Sequence, residues 1–222
     1  MMMSRSIGAA VAGGTAALVL AAGPAQAVQV QVSTPLGNYT LQTREDAAPT
    51  TVARFLSYIE NGIYDNTIIH RSVPDFVIQG GGFTFLTDSF AAVPSVPTIP
   101  SEFSLPNLRG TVAIAQSAGP DSGTNQWFIN VVDNPGLDTQ QFTVFAEVIA
   151  GMDVVDAIND LTRYNFGGKP FDEVPLSDAF QNNRSVLPSD FITTSYTVLS
   201  TPEPGSAVLL ALGGLAMMRR RR

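Results

Sequence analysis

The stretch Ile69-His70-Arg71-Ser72-Val73-Pro74-Asp75-Phe76-Val77-Ile78-Gln79-Gly80-Gly81 carries the most information in this chain. It sets a basic pair beside a short apolar run, Phe76 to Ile78, with Pro74 and the glycines as breaks on either side. Apolar runs this short, bounded by Gly, Pro or Asn, read as strands. Taken singly, the basic residues say little. A lone histidine is more often packed than catalytic, and a lone arginine usually forms a surface ion pair. Their meaning has to come from the rest of the chain.

Working outward, Val28 to Val32 alternates Val-Gln-Val-Gln-Val, the pattern of a half-buried strand. A turn at Pro35-Leu36-Gly37-Asn38 leads into a second alternating strand, Tyr39 to Thr43. Thr50 to Glu60 carries Val52, Phe55, Leu56 and Ile59 on one helical face, and Asn61-Gly62 ends it. Further strand-length runs lie at Ile68-Ile69, Thr111 to Ala115, Trp127 to Val132 and Thr143 to Val148. A second helix, Met152 to Leu161, aligns Val154, Val155, Ile158 and Leu161, and a last strand lies near Thr194 to Leu199. Many short strands with two helices predict a mainly β fold, a barrel whose ends the helices cover. Phe83 to Pro100 and Thr162 to Pro188, rich in turn residues, read as long surface loops.

Both ends read as addresses. Residues 1–27 hold one early arginine, Arg5, then an apolar run from Ile7 to Ala22, and close on Ala25-Gln26-Ala27. That is the layout of a cleaved secretory signal peptide, leaving Val28 as the new N-terminus. The body then spans residues 28–200. In the tail, 201–222, Thr201-Pro202-Glu203-Pro204 precedes an apolar run from Gly205 to Met218 and then Arg219 to Arg222. This order resembles the PEP-CTERM sorting signal of Gram-negative bacteria. The resemblance implies processing by an exosortase, transient insertion in the inner membrane, and a destination in the periplasm, at the outer surface or in an extracellular matrix. The arginines favour the cytoplasmic side, and the apolar run is shorter than the roughly 20 residues of a comfortable span. A permanent anchor is the alternative.

Composition narrows the chemistry. The 222 residues carry no cysteine and one histidine, which excludes thiolate nucleophiles, disulfides and multi-histidine metal sites. No Asp-rich calcium loop occurs, so neither a metal nor a cofactor is expected. The formal charge is −7, but residues 28–200 hold 7 of the 12 basic residues and 18 of the 19 acidic ones. A body that acidic is a poor partner for nucleic acid.

Three blocks, in order, supply the context for the basic pair. The first is the opening stretch with Gly82-Phe83, preceded by Tyr64-Asp65-Asn66-Thr67. The second is Gly110-Thr111-Val112-Ala113-Ile114-Ala115-Gln116, and the third Asn125-Gln126-Trp127-Phe128-Ile129-Asn130. Together they resemble the cyclophilin family of peptidyl-prolyl cis-trans isomerases, from about Val28 to Ile158. The resemblance implies an eight-stranded antiparallel barrel capped by two helices, and proline-containing segments of exported proteins as substrates. It assigns Arg71 as the catalytic residue. It places Phe76, Val77, Phe128 and Leu137 in the proline pocket, and Gln79, Ala115, Gln116 and Gln126 in the groove for the substrate backbone. His70 flanks the arginine, and Phe142 stands where the family has histidine or tyrosine.

The chemistry suits these residue types. Rotation about an X-Pro bond is slow because resonance gives the amide partial double-bond character, with a barrier of about 18–20 kcal/mol. In the twisted transition state the proline nitrogen regains its lone pair, and a guanidinium donor stabilises that state over the planar one. Two departures qualify the resemblance. Gly136 replaces the Trp or Phe that commonly precedes Leu137, which predicts a more open pocket and weak binding of cyclosporin-like ligands; Phe142 lacks a polar tip. They motivate an alternative, a catalytically weak cyclophilin-fold binding or surface protein. Trp127 does not replace the missing ring, since it precedes Phe128 on one strand and points to the other face. A hydrolase using His70 with a serine is disfavoured, because no Gly-x-Ser-x-Gly turn occurs.

Overall fold

The computed structural model describes residues 27–199. The expected leader peptide, except Ala27, and the whole sorting tail lie outside the described residues. Among the described residues no helix is long and apolar enough to cross a membrane; the apolar run expected to insert, 205–218, is outside them.

Alternation builds the sheet. β1 (Gln29–Thr34) buries Val30 and Val32, and pairs antiparallel with β2 (Gly37–Thr43), which buries Tyr39 and Leu41. α1 (Pro49–Glu60) starts on a proline, which suits the first helical turn because its missing N–H is not needed there. Then come β3 (Thr67–Ile68), β4 (Arg71–Val73), β5 (Val77–Gly80) and a hairpin of β6 (Phe83–Phe85) and β7 (Phe90–Ala92). β8 (Thr111–Ile114) and β9 (Trp127–Asn130) precede the single-turn α2 (Pro135–Asp138), β10 (Val144–Ala150) and α3 (Met152–Asp160). A short pair, β11 (Arg163–Tyr164) and β12 (Val174–Pro175), and β13 (Thr193–Leu199) complete the chain.

Nine strands form one antiparallel sheet in the order β3-β13-β1-β2-β10-β8-β9-β5-β4. Its two outermost strands are consecutive pieces of one segment. Between them, Ile69 N–H donates to the Ile192 carbonyl at 2.9 Å and His70 N–H to the Gln79 carbonyl at 3.1 Å. One short segment therefore ties both edges together. Counted once, it gives the eight strands that the family resemblance implies. α1 and α3 lay their apolar faces on the barrel through Val52, Phe55, Val155 and Ile158.

Inside, Val30, Val32, Leu41, Ile78, Val112, Trp127, Ile129 and Phe145 form the main core. The glycines after β5 make room for it. Gly81 has φ +80, and a Cβ there would lie 2.7 Å from the Trp127 ring; at Gly82 a Cβ would lie 2.6 Å from Gln126 Cγ. A side chain at either position would displace Trp127 or Gln126.

The two stretches expected as surface loops are more ordered than that. Phe83–Phe85 and Phe90–Ala92 pair as a hairpin, and Phe83, Phe85 and Phe90 join Phe171, Val174 and Phe191 in a separate aromatic cluster. Phe90 stacks on Phe171 with centroids 4.0 Å apart, and Phe85 on Phe191 at 4.2 Å. The prolines and glycines obscured this, because each apolar piece is too short to show a period. The cluster is built only when loops distant in sequence meet.

β4 is an edge strand, and it is pinned from both sides. Asn159 on α3 donates to Ser72 Oγ at 2.9 Å and to the Val73 carbonyl at 3.0 Å. From the other side the Ser72 N–H donates to the Glu173 carbonyl at 2.8 Å. Replacing Asn159 with Ala strands buried acceptors, and is expected to cost about 1–3 kcal/mol of stability in urea unfolding.

Candidate functional site

One row of cross-strand partners crosses the outside of the barrel. Arg71 pairs with Gln79, Gln79 with Phe128, Phe128 with Ala113 and Ala113 with Val144. Directly opposed residues share a face, so this register alone brings an arginine, an amide and an apolar patch together. Trp127 and Ile129, one step either side of Phe128, belong to the barrel interior. The expected orientation of Trp127 therefore holds.

Above this row lies a pocket of about 140 Å³ lined by Arg71, Phe76, Val77, Gln79, Ala115, Gln116, Phe128, Leu137 and Phe142. That is far smaller than the roughly 300–1,000 Å³ of drug-sized ligand sites; it is a hole for one small group. Val77, Ala113, Phe128, Leu137 and Val144 make its apolar floor, with Phe76, Ala115 and Phe142 packed around them. Phe142 meets Phe128 edge-on, with centroids 5.5 Å apart. Gln116 Nε2 donates to the Gln141 carbonyl at 2.9 Å. On the Gly136 side the wall is open, since a Cβ there would meet nothing within 4 Å. Gly136→Trp is expected to fit and to tighten binding of a proline peptide about five- to tenfold in calorimetric titration, in line with the ~1 kcal/mol scale of an added aromatic contact.

Two of the expected site residues do not reach this pocket. Gln126 stands beside it, accepting a hydrogen bond from Gln79 Nε2 at 2.9 Å, and so orients the Gln79 amide. His70 is the clearer correction. Its side chain is 0% exposed and lies against Phe83 and Phe171, with centroids 4.9 and 6.4 Å away. It does not reach the pocket. Neighbours along a strand point to opposite faces, and His70 sits where the barrel edges join, with Arg71 on the other side. Neither ring nitrogen makes a hydrogen bond of acceptable geometry. Burial pushes its pKa down to about 4, against smaller upward pulls from the Ile68 backbone and the Gln126 side chain.

Sequence reading missed what holds the pocket walls. Asn134 Nδ2 donates to the Phe76 carbonyl at 3.0 Å and to Asn130 Oδ1 at 2.7 Å. Asn130 in turn donates to Asn107 Oδ1 at 3.2 Å, and Asn107 Nδ2 donates to the Phe142 carbonyl at 3.2 Å. Asp138, next to Leu137, accepts from the Asn107 N–H at 2.8 Å. One buried amide network thus fixes Phe76, Leu137 and Phe142. Asn130 lies in one of the motif blocks, whereas nothing in the local sequence marks Asn107 or Asn134 for this role.

The structure thus defines a curled antiparallel barrel with an arginine beside one small apolar pocket and a row of amides. Comparison with known proteins gives the family. Residues 27–180 match the family described as cyclophilin type peptidyl-prolyl cis-trans isomerase/CLD. The chain is 42% identical over 145 residues to a peptidyl-prolyl cis-trans isomerase of Acinetobacter baylyi, covering 62% of this chain and 75% of the relative. It is 40% identical over 149 residues to peptidyl-prolyl cis-trans isomerase B of Escherichia coli, covering 64% and 89%. A crystal structure of a Cryptosporidium parvum cyclophilin type isomerase, obtained in the presence of the dipeptide Ala-Pro, shares the fold. Its TM-score is 0.59 at 19% identity, over 78% of this chain and 99% of that one. The chain belongs to the cyclophilin-type peptidyl-prolyl cis-trans isomerase family.

Proposed function

We propose that this chain accelerates X-Pro bond rotation in exported proteins, with Arg71 stabilising the twisted amide. The observation that carries this reading is the cross-strand row that sets Arg71 beside Gln79 and Phe128 over one small apolar pocket. The proline ring enters the pocket formed by Phe76, Val77, Phe128, Leu137 and Phe142. The Gln79 amide, oriented by Gln126, and the groove residues Ala115 and Gln116 hold the substrate backbone. As the bond twists, the proline nitrogen becomes pyramidal and accepts a hydrogen bond from the Arg71 guanidinium. Because that lone pair is withheld in the planar amide, the contact favours the transition state over the ground state. The apolar wall keeps water from competing for the same donor. No bond is made or broken.

Turnover of Ala-Pro-containing peptides by the full-length chain tests this. Acceleration over the uncatalysed rate supports it; peptide binding with an unchanged rate supports the binding-protein alternative instead. Export rests on the leader-like N-terminus, and sorting on the Pro-Glu-Pro, apolar and arginine order of residues 201–222. Under this reading an exosortase-like enzyme removes the tail after transient membrane insertion. Mass spectrometry of the mature exported protein checks it: a C-terminus retaining Arg219 to Arg222 contradicts processing.

A further inference from the structure

The groove assigned above leaves one charged contact of Arg71 unexplained. Arg71 Nε lies 3.5 Å from Glu173 Oε2, the sole carboxylate within 4.0 Å of it among the described residues. Glu173 comes from a different part of the chain, and its backbone is fixed three ways. Its carbonyl accepts the Ser72 N–H at 2.8 Å. Val174, the next residue, pairs with Tyr164 and is fully buried in the aromatic cluster. Phe171, two residues before it, stacks on Phe90. The carboxylate therefore hangs from a rigid mount, whereas the arginine hangs from a long stem on an edge strand.

We propose that Glu173 is a positioning residue for Arg71. Its carboxylate engages the guanidinium at the Nε edge and leaves the terminal N–H groups to face the pocket, where the twisted amide forms. This rests on the reading that Arg71 stabilises that amide. Without the carboxylate the side chain spreads over more rotamers, and fewer of them aim a donor at the proline nitrogen. Peptide binding, carried by the apolar pocket and the amide row, is left alone. Both partners are partly exposed, with side chains 26% and 35% accessible. The effect is accordingly modest and weakened by salt.

The test measures kcat and KM separately on an uncharged Ala-Pro peptide, using the full-length chain. Glu173→Gln keeps the shape and removes the charge. It is expected to lower kcat about two- to fivefold, with KM within about 1.5-fold and the thermal midpoint unmoved. Glu173→Asp, which keeps the charge on the same mount, is expected to fall between Gln and wild type. Raising ionic strength from about 0.01 to 1 M should bring wild-type kcat down toward the Glu173→Gln value and leave that variant flat. Wild-type kcat in Glu173→Gln at low salt, or a loss confined to KM, overturns the proposal. Arg71→Ala, measured alongside, separates the two ideas: if it keeps full activity, the arginine reading itself fails, whereas an inactive Arg71→Ala with unaffected Glu173→Gln sinks only the positioning role.

Discussion

Arg71→Ala is expected to lower kcat/KM for an X-Pro peptide by about 10²–10³-fold, the scale measured when one preorganised transition-state donor is removed. The loss should fall on kcat, because the apolar part of the pocket proposed to hold the ring is built by Phe76, Val77, Phe128 and Leu137 and not by the guanidinium. Arg71→Lys keeps the charge but replaces a planar fork by a point donor on a flexible stem. It should recover less than about a tenth of the wild-type rate, because the aim of the donor matters as much as its charge. A protease-coupled or direct spectroscopic assay of peptide isomerisation reads both effects. The folding free energy should barely move, since Arg71 lies at the surface in a partly exposed ion pair.

The second large effect is on stability, and it comes from the residue that the groove does not use. His70 is fully buried, and burial, opposed only weakly by the Ile68 backbone and Gln126, pushes its pKa down from 6.5 to about 4. The native state thus holds the ring neutral at a pH where the unfolded chain protonates it. As pH falls, the unfolded state takes up the extra proton first, so stability falls with pH. The contribution is complete above about pH 6.5, is lost between there and about 4, and levels off once the native ring protonates too. At about 1.36 kcal/mol per unit, the loss is about 3 kcal/mol. Urea unfolding at pH 7.5 and 4.5 should show it, and His70→Phe should lose correspondingly less over the same interval. At pH 7.5 that variant should stay close to wild-type stability, because the ring it replaces packs edge-on against Phe83 and Phe171. Asp190, whose carboxyl is held below its ordinary range by the Arg184 guanidinium, contributes equally to both proteins and cancels. Equal acid losses in the two would refute the assignment.

These two neighbours show what was legible in the sequence and what was not. The three motif blocks placed the strands, and the period of two then set Phe128 outward and Trp127 inward. The same alternation, carried one residue beyond the start of β4, separates His70 from Arg71. The motif names the two residues as a pair, and so hides their opposite orientations. The barrel's closure through Ile69 and His70 depends on backbone bonds that no side-chain pattern reports. The aromatic cluster under residues 83–100 and 162–188 was hidden for a related reason. Its pieces are two or three residues long, and only tertiary contact joins them.

The supporting residues were the least readable. Asn107, Asn134 and Asn159 are buried amides whose partners lie between 4 and 87 positions away. A polar residue in a turn-rich segment reads as solvent-facing until the backbone groups it satisfies are seen. Glu173 is one acid among 19 acidic residues, and nothing in its local sequence points to Arg71. Gly136 was read correctly as an opening in the wall, because losing a side chain needs no partner to be interpreted.

The central claim is that Arg71 acts on the bound amide and not on binding itself. Exchange NMR on an Ala-Pro peptide in the presence of the protein tests this most directly, since it detects binding and cis-trans interconversion in one experiment. In wild type, cross-peaks should connect the cis and trans peptide signals. With Arg71→Ala, the peptide should still shift the resonances of Phe128 and Leu137 while those cross-peaks vanish. Interconversion at the wild-type rate in Arg71→Ala would contradict the account.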